Sequence, residues 1–192
     1  MSNEASSIKF SNPAPLGLAG FALTTWLLSM INVGWFSGDS FRMVLAVALA
    51  FGGTAQAIAG IMELPRNNTF GTTAFLSYGA FWWSLALFIL LPGDNKVPEA
   101  FVGWYLFLWG VFSFYMWIGS LRAPRALQAI FFVLWITFVL LALGKWVSPA
   151  FGVAGGYGGL LTAALAFYLS AAEVINETHQ RTVLPIGAPV AK

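Results

Sequence analysis

The sequence predicts an all-α integral-membrane fold, a six-transmembrane-helix bundle. Three observations predict it. Of 192 residues, 59% are hydrophobic and 8% are charged, against roughly a quarter charged in an ordinary soluble domain. Six apolar stretches of about 18–23 residues are each long enough to cross a hydrocarbon core about 30 Å thick. The connections between them are short, so successive helices are expected as antiparallel neighbours in an up-down bundle, with no length left for a soluble catalytic domain.

Each element has its own local signals. Residues 1–11 are a polar tail, and the membrane domain is placed at 12–178. At its head, Asn12 is expected to cap the first exposed amides, and Pro13 to occupy the first helical position, where no N–H is required. The first span is expected from about Ala14 to Phe36, with Gly17 and Gly20 forming a close-approach face just before Phe21. No small-residue cleavage site follows it, so it reads as a retained span and not as a cleaved signal. The second span covers about Met43 to Met62 and carries Gly52, Gly53 and Gln56. A polar hairpin, Glu63 to Asn68, leads to the third span, about Thr69 to Leu91, closed by Pro92-Gly93-Asp94. The fourth runs from about Phe101 to Leu121 and the fifth from about Ala126 to Trp146. Pro149 to Gly156 reads as a glycine-rich loop before a sixth span ending near Asn176. Residues 179–192 form a C-terminal tail.

Orientation follows from basic residues in alternate loops. Lys9, Arg66, Arg122, Arg125, Arg181 and Lys192 fall on one side, and Arg42, Lys96 and Lys145 on the other. Six against three places both termini in the cytoplasm. Trp35, Trp104 and Trp146 then sit at the outer interface and Trp117 at the inner one, as an aromatic belt requires.

Several chemistries lack their residues. The absence of cysteine removes disulfides and thiolate metal sites, and the single histidine, His179, lies in the tail. No metal site, no cofactor and no nucleophile–base pair is expected, so the chain is not read as an enzyme. A net charge of +2 in such a composition gives no footprint for nucleic acid. The carboxylates Glu63 and Glu173 sit near helix ends, and Glu173 is expected to pair structurally with Arg122 or Arg125.

Polar groups inside spans are costly in lipid and mark sites worth weighing. A single Ser or Thr usually bonds its own backbone or a neighbouring helix. Gln56 is different, because a mid-span amide has donors and an acceptor that lipid cannot satisfy; it faces a pore or a buried network. Phe21, Tyr78 and Leu134 each lie about seven to nine residues into spans one, three and five, which at about 1.5 Å per residue is about 10–13 Å. At one level they either close a narrow ring or make three unrelated packing contacts.

Asn12-Pro-Ala-Pro-Leu-Gly-Leu18 resembles the signature at the head of the acetate uptake transporter family. So do Asn68-Thr-Phe-Gly71, Ser77-Tyr-Gly-Ala-Phe-Trp82, Glu173-Val-Ile-Asn-Glu177 and Arg181-Thr-Val-Leu-Pro-Ile-Gly187, in order along the chain. The resemblance implies homohexamers in the plasma (bacterial inner) membrane, with a pore in each protomer for acetate and related monocarboxylates, and for succinate in some members. Passage is by proton-coupled symport or by channel-like permeation. It also implies a hydrophobic constriction of Phe, Tyr and Leu, matched here by Phe21, Tyr78 and Leu134, and a position affecting substrate size, matched by Ala166. Asn12, Pro13, Gln56, Asn68, Thr69 and Thr72 are the expected lining or binding groups. The Tyr78 hydroxyl is expected to donate to a carboxylate, and the positive ends of spans one, three and five to favour anions. Two alternatives stand beside this reading. Asn12-Pro13-Ala14 also looks like one copy of a paired neutral-solute channel motif, and a small chain with no visible proton relay also fits a non-transporting acetate sensor.

Overall fold

The computed structural model describes residues 10–91 and 97–188. The expected Pro92-Gly93-Asp94 stop lies outside them, as do Lys9, Lys96 and Lys192. Among the described residues six helical spans are long and apolar enough to cross a membrane. The first is α1 (Ala14–Asn32). The second is composite: α2 (Phe41–Val47), a π-helical segment (Ala48–Ala55) and α3 (Gln56–Glu63) run on without a break. Four single helices follow, α4 (Thr69–Leu90), α5 (Glu99–Ser120), α6 (Arg125–Trp146) and α7 (Pro149–Thr178).

Three expected boundaries are corrected. Pro13 is the N-cap of α1 and not its first helical residue; Pro15 takes the second position. The helix also stops at Asn32, short of Phe36, because Gly34 adopts φ 80°. The Gly34 N–H then bonds Ile31 O at 2.9 Å and the Trp35 N–H bonds Met30 O at 3.0 Å, the paired bonds of a Schellman stop. Finally, Pro149 to Gly156 is not a loop. Ser148 Oγ accepts from the Ala150 N–H at 3.4 Å and α7 starts at Pro149. Its glycines are contact points: a side chain at Gly155 or Gly158 would strike Leu141 or Thr137 of α6, and one at Gly156 or Gly159 would strike Val33, the C-cap of α1, or Ser29 within it. In a membrane bundle small residues bring backbones together instead of loosening the chain.

The spans close into a ring. α7 packs on both α6 and α1, α1 packs on the π-helical segment and α3, and those pack on α4. Between α4 and α5 the ring is completed by side chains, because the backbones stay apart. Tyr78 and Phe81 of α4 meet Trp109 and Phe112 of α5 at centroid separations of 5.2–6.0 Å, in the tilted and edge-on geometries aromatic rings favour. The expected antiparallel order holds here, but through an aromatic layer and not through helix-to-helix contact.

The C-terminal segment is not a free tail over its described length. Asn176 Oδ1 accepts from the Val183 and Leu184 N–H groups at 2.7 and 2.9 Å, and Tyr168 Oη donates to Pro185 O at 2.6 Å. The segment ends against α6, where the Ala126 N–H bonds Ile186 O at 3.0 Å. Pro124, the N-cap of α6, offers no side-chain acceptor, so residue 186 supplies the one that helix start needs.

Candidate functional site

Two asparagines start two helices and position two glutamates. Asn12 Oδ1 accepts from the Ala14 N–H at 3.1 Å, and its Nδ2 donates to Glu173 Oε2 at 2.9 Å. Asn68 Oδ1 accepts from the Gly71 N–H at 3.0 Å, and its Nδ2 donates to Glu63 Oε2 at 3.0 Å. Asn68 therefore caps α4 with its oxygen, Asn12, one residue ahead of the Pro13 N-cap, holds the first amide of α1, and each fixes a carboxylate with its nitrogen. Glu63 is 1% exposed, and its second partner is Arg66, with Nε 3.4 Å from Oε2. Arg66 Nη1 also donates to the carbonyls of Phe10 and Ser11, which ties the segment before α1 to the end of α3. Glu173 meets Asn12, so the expected pair with Arg122 or Arg125 is replaced.

These four residues stand at one end of a cavity of about 200 Å³, room for a small molecule and a few waters at about 30 Å³ per water. Its walls are apolar: Leu18 of α1, Phe75 of α4, Phe131 of α6 and Leu169 of α7. Farther in, Phe21, Gln56, Tyr78 and Leu134 all line it, at 6%, 0%, 3% and 3% exposure. The rings of Phe21 and Tyr78 lie 5.6 Å apart. One turn beyond, Phe81, Trp82 and Phe138 are buried. α5 does not reach the cavity; it backs Tyr78.

The Tyr78 hydroxyl points into that backing. It lies 2.8 Å from Ser113 Oγ, and Ser113 Oγ already donates its one proton to Trp109 O at 2.8 Å. Tyr78 must therefore be the donor to Ser113. The expected donation to a carboxylate is replaced, and the cavity meets the ring of Tyr78 and not its proton. Gln56 is the opposite case. Nε2 and Oε1 are both buried and find no hydrogen-bond partner among the described residues.

Of the residues expected to line a pore, Asn12, Gln56 and Asn68 line this cavity, and Pro13, Thr69, Thr72 and Ala166 are not among the residues around it. Pro13 is buried and Thr69 exposed at the helix starts. The Thr72 hydroxyl is buried without a partner among the described residues. Ala166 is fully buried in the cluster that contains Leu134 and Leu169. Sequence reasoning passed over Glu63 and Glu173 as end residues. Their signal was present: each is an acid inside an apolar helix, in a chain whose first and third spans are headed by asparagine. The helix ends expected to attract anions also differ, since at α1 and α4 the asparagine at the helix head holds a carboxylate.

The profile of the GPR1/FUN34/yaaH family matches residues 2–188. The chain belongs to that family. Among relatives in the GPR1/FUN34/yaaH family, the succinate-acetate/proton symporter SatP of Escherichia coli K12 is 48% identical over 183 residues, 93% of this chain and 96% of its own. Acetate permease A of Emericella nidulans is 48% identical over 92 residues, 48% of this chain and 30% of its own. The solved structure of the bacterial acetate channel SatP matches with a TM-score of 0.89 at 48% identity, covering 93% of this chain and 100% of that one. With its six apolar helices, this member of the family is a multi-pass membrane protein.

Proposed function

We propose that this chain carries acetate and related small monocarboxylates across the plasma membrane, and succinate as a larger substrate, by symport with protons or by channel-like permeation. The observation that carries the reading is the convergence of Phe21, Tyr78 and Leu134 on one cavity, in a chain 48% identical along most of its length to a protein named for that transport. The trio is the constriction. An apolar ring rejects hydrated ions, because removing water from a charge is expensive, and it accommodates the methyl end of acetate. Asn12 and Asn68 form the entrance, with both termini in the cytoplasm, and the protomers assemble as homohexamers. Labelled acetate exchange in proteoliposomes tests the reading. The protein should raise exchange above that of empty vesicles, and Phe21→Ala should change its rate or selectivity; equal exchange with and without protein would refute carriage.

A further inference from the structure

We propose that the cavity takes its solute as the undissociated carboxylic acid, with the Gln56 side chain as the partner of the carboxyl group. The inference rests on the reading of the chain as a carboxylate carrier and deepens it by naming the form carried.

Gln56 is completely buried, lines the cavity, and leaves both a donor and an acceptor without partners among the described residues. A protonated carboxyl group has a donor and an acceptor side by side. It can donate its O–H to Gln56 Oε1 while its carbonyl accepts from Nε2, which satisfies both orphaned atoms in one closed pair. A carboxylate has acceptors only. It could satisfy Nε2, but it would leave Oε1 unpaired or facing an anionic oxygen.

The charges around the cavity act in the same direction. Glu63 of α3 and Glu173 of α7 line it, and among the described residues no lysine or arginine does. Arg66 is engaged by Glu63 and by two backbone carbonyls. Glu177, the remaining charge close to Glu173, is also an acid. On α1, α4 and α6 the lining includes one titratable side chain, Tyr78, whose proton is held by Ser113. Among the described residues an entering anion thus meets two carboxylates, an apolar wall and no free cation, whereas the neutral acid meets none of that repulsion. Proton balance is simple: the anion takes one proton at the aqueous mouth, travels as the acid and releases the proton on the far side. Transport is electroneutral, one proton with each carboxylate.

Isotope-edited infrared spectroscopy of ¹³C-acetate bound to the purified full-length protein tests the proposal. The expected spectrum has the carbonyl band of a protonated acid, accompanied by proton uptake on binding in weak buffer. Gln56→Leu should weaken binding about tenfold or more, the loss of a paired hydrogen-bond contact, and Gln56→Glu should not restore it at neutral pH. Circular dichroism and gel filtration establish that both variants are folded. Should Gln56→Leu misfold, acetamide replaces it as the probe: a neutral molecule with a donor beside an acceptor should compete with acetate, and failure to compete counts against the proposal. A carboxylate band pair without proton uptake would overturn it. If the protein still raises acetate exchange in vesicles in that case, carriage stands and only the neutral form is lost; if exchange is absent, both fall.

Discussion

Asn12 reaches Glu173, on the last helix, at 2.9 Å with the same side chain whose oxygen starts the first. Asn68 does the same for α4 and Glu63. One short polar side chain thus fixes a helix start, joins two helices and sets the position of an acid at the cavity's entrance. Asn12→Ala removes all three functions. It should cost about 0.5–1.5 kcal/mol from the lost hydrogen bond to the Ala14 amide alone, read as reduced resistance to unfolding in detergent. Acetate exchange should fall further than that stability loss accounts for.

Tyr78→Phe separates the ring from the hydroxyl. Because the proton goes to Ser113, the variant should lose about 0.5–1.5 kcal/mol of stability and keep acetate exchange near that of the wild type. Exchange abolished in a folded Tyr78→Phe protein would place the hydroxyl on the solute path.

Removing the Phe21 ring, in contact with Tyr78 at 5.6 Å, should widen the cavity at the proposed constriction. Phe21→Ala carries a core-truncation cost of about 3–5 kcal/mol. In the protein that still folds, the rate ratio of succinate to acetate should rise. An unchanged ratio would remove Phe21 from the constriction.

Close approach of α1 to the π-helical segment is tested at Gly20. A methyl group there would lie 2.7 Å from Phe51 O, a backbone atom that cannot turn aside. Gly20→Ala should therefore cost about 1–3 kcal/mol, as overpacked sites do. Since the displaced segment leads directly into Gln56, acetate affinity should drop as well. A variant as stable as the wild type would mean that the contact is slack.

How much of this was legible in the sequence depended on whether helix geometry could be extrapolated. Phe21, Tyr78 and Leu134 lie on straight α-helices, so counting residues from the helix starts put them at one depth, and they do share one cavity. Their facing was not available from the count. Gln56 drew notice through chemistry alone, because the π-helical segment Ala48–Ala55 breaks the 3.6-residue register that would have said which way it points. Glu63 and Glu173 were placed near helix ends, but their partners were not legible: each bonds an asparagine at the head of another span, and for Glu173 that asparagine stands where Arg122 or Arg125 was expected. The glycines after Pro149 failed for a different reason. Glycine marks turns where backbone meets water, and here the same residues meet other helices.

The contact of Ile186 with the head of α6 has a consequence for biosynthesis. The Ala126 amide leaves the ribosome roughly sixty residues before its acceptor exists, a wait of about 3–12 s at about 5–20 residues per second. During that interval the Ala126 amide at the start of the fifth span lacks this partner, which residue 186 supplies once it has been made. A fusion partner or purification tag joined close behind Gly187 would burden this late step, so its length should govern the yield of folded protein even where it leaves transport in the finished molecule unchanged.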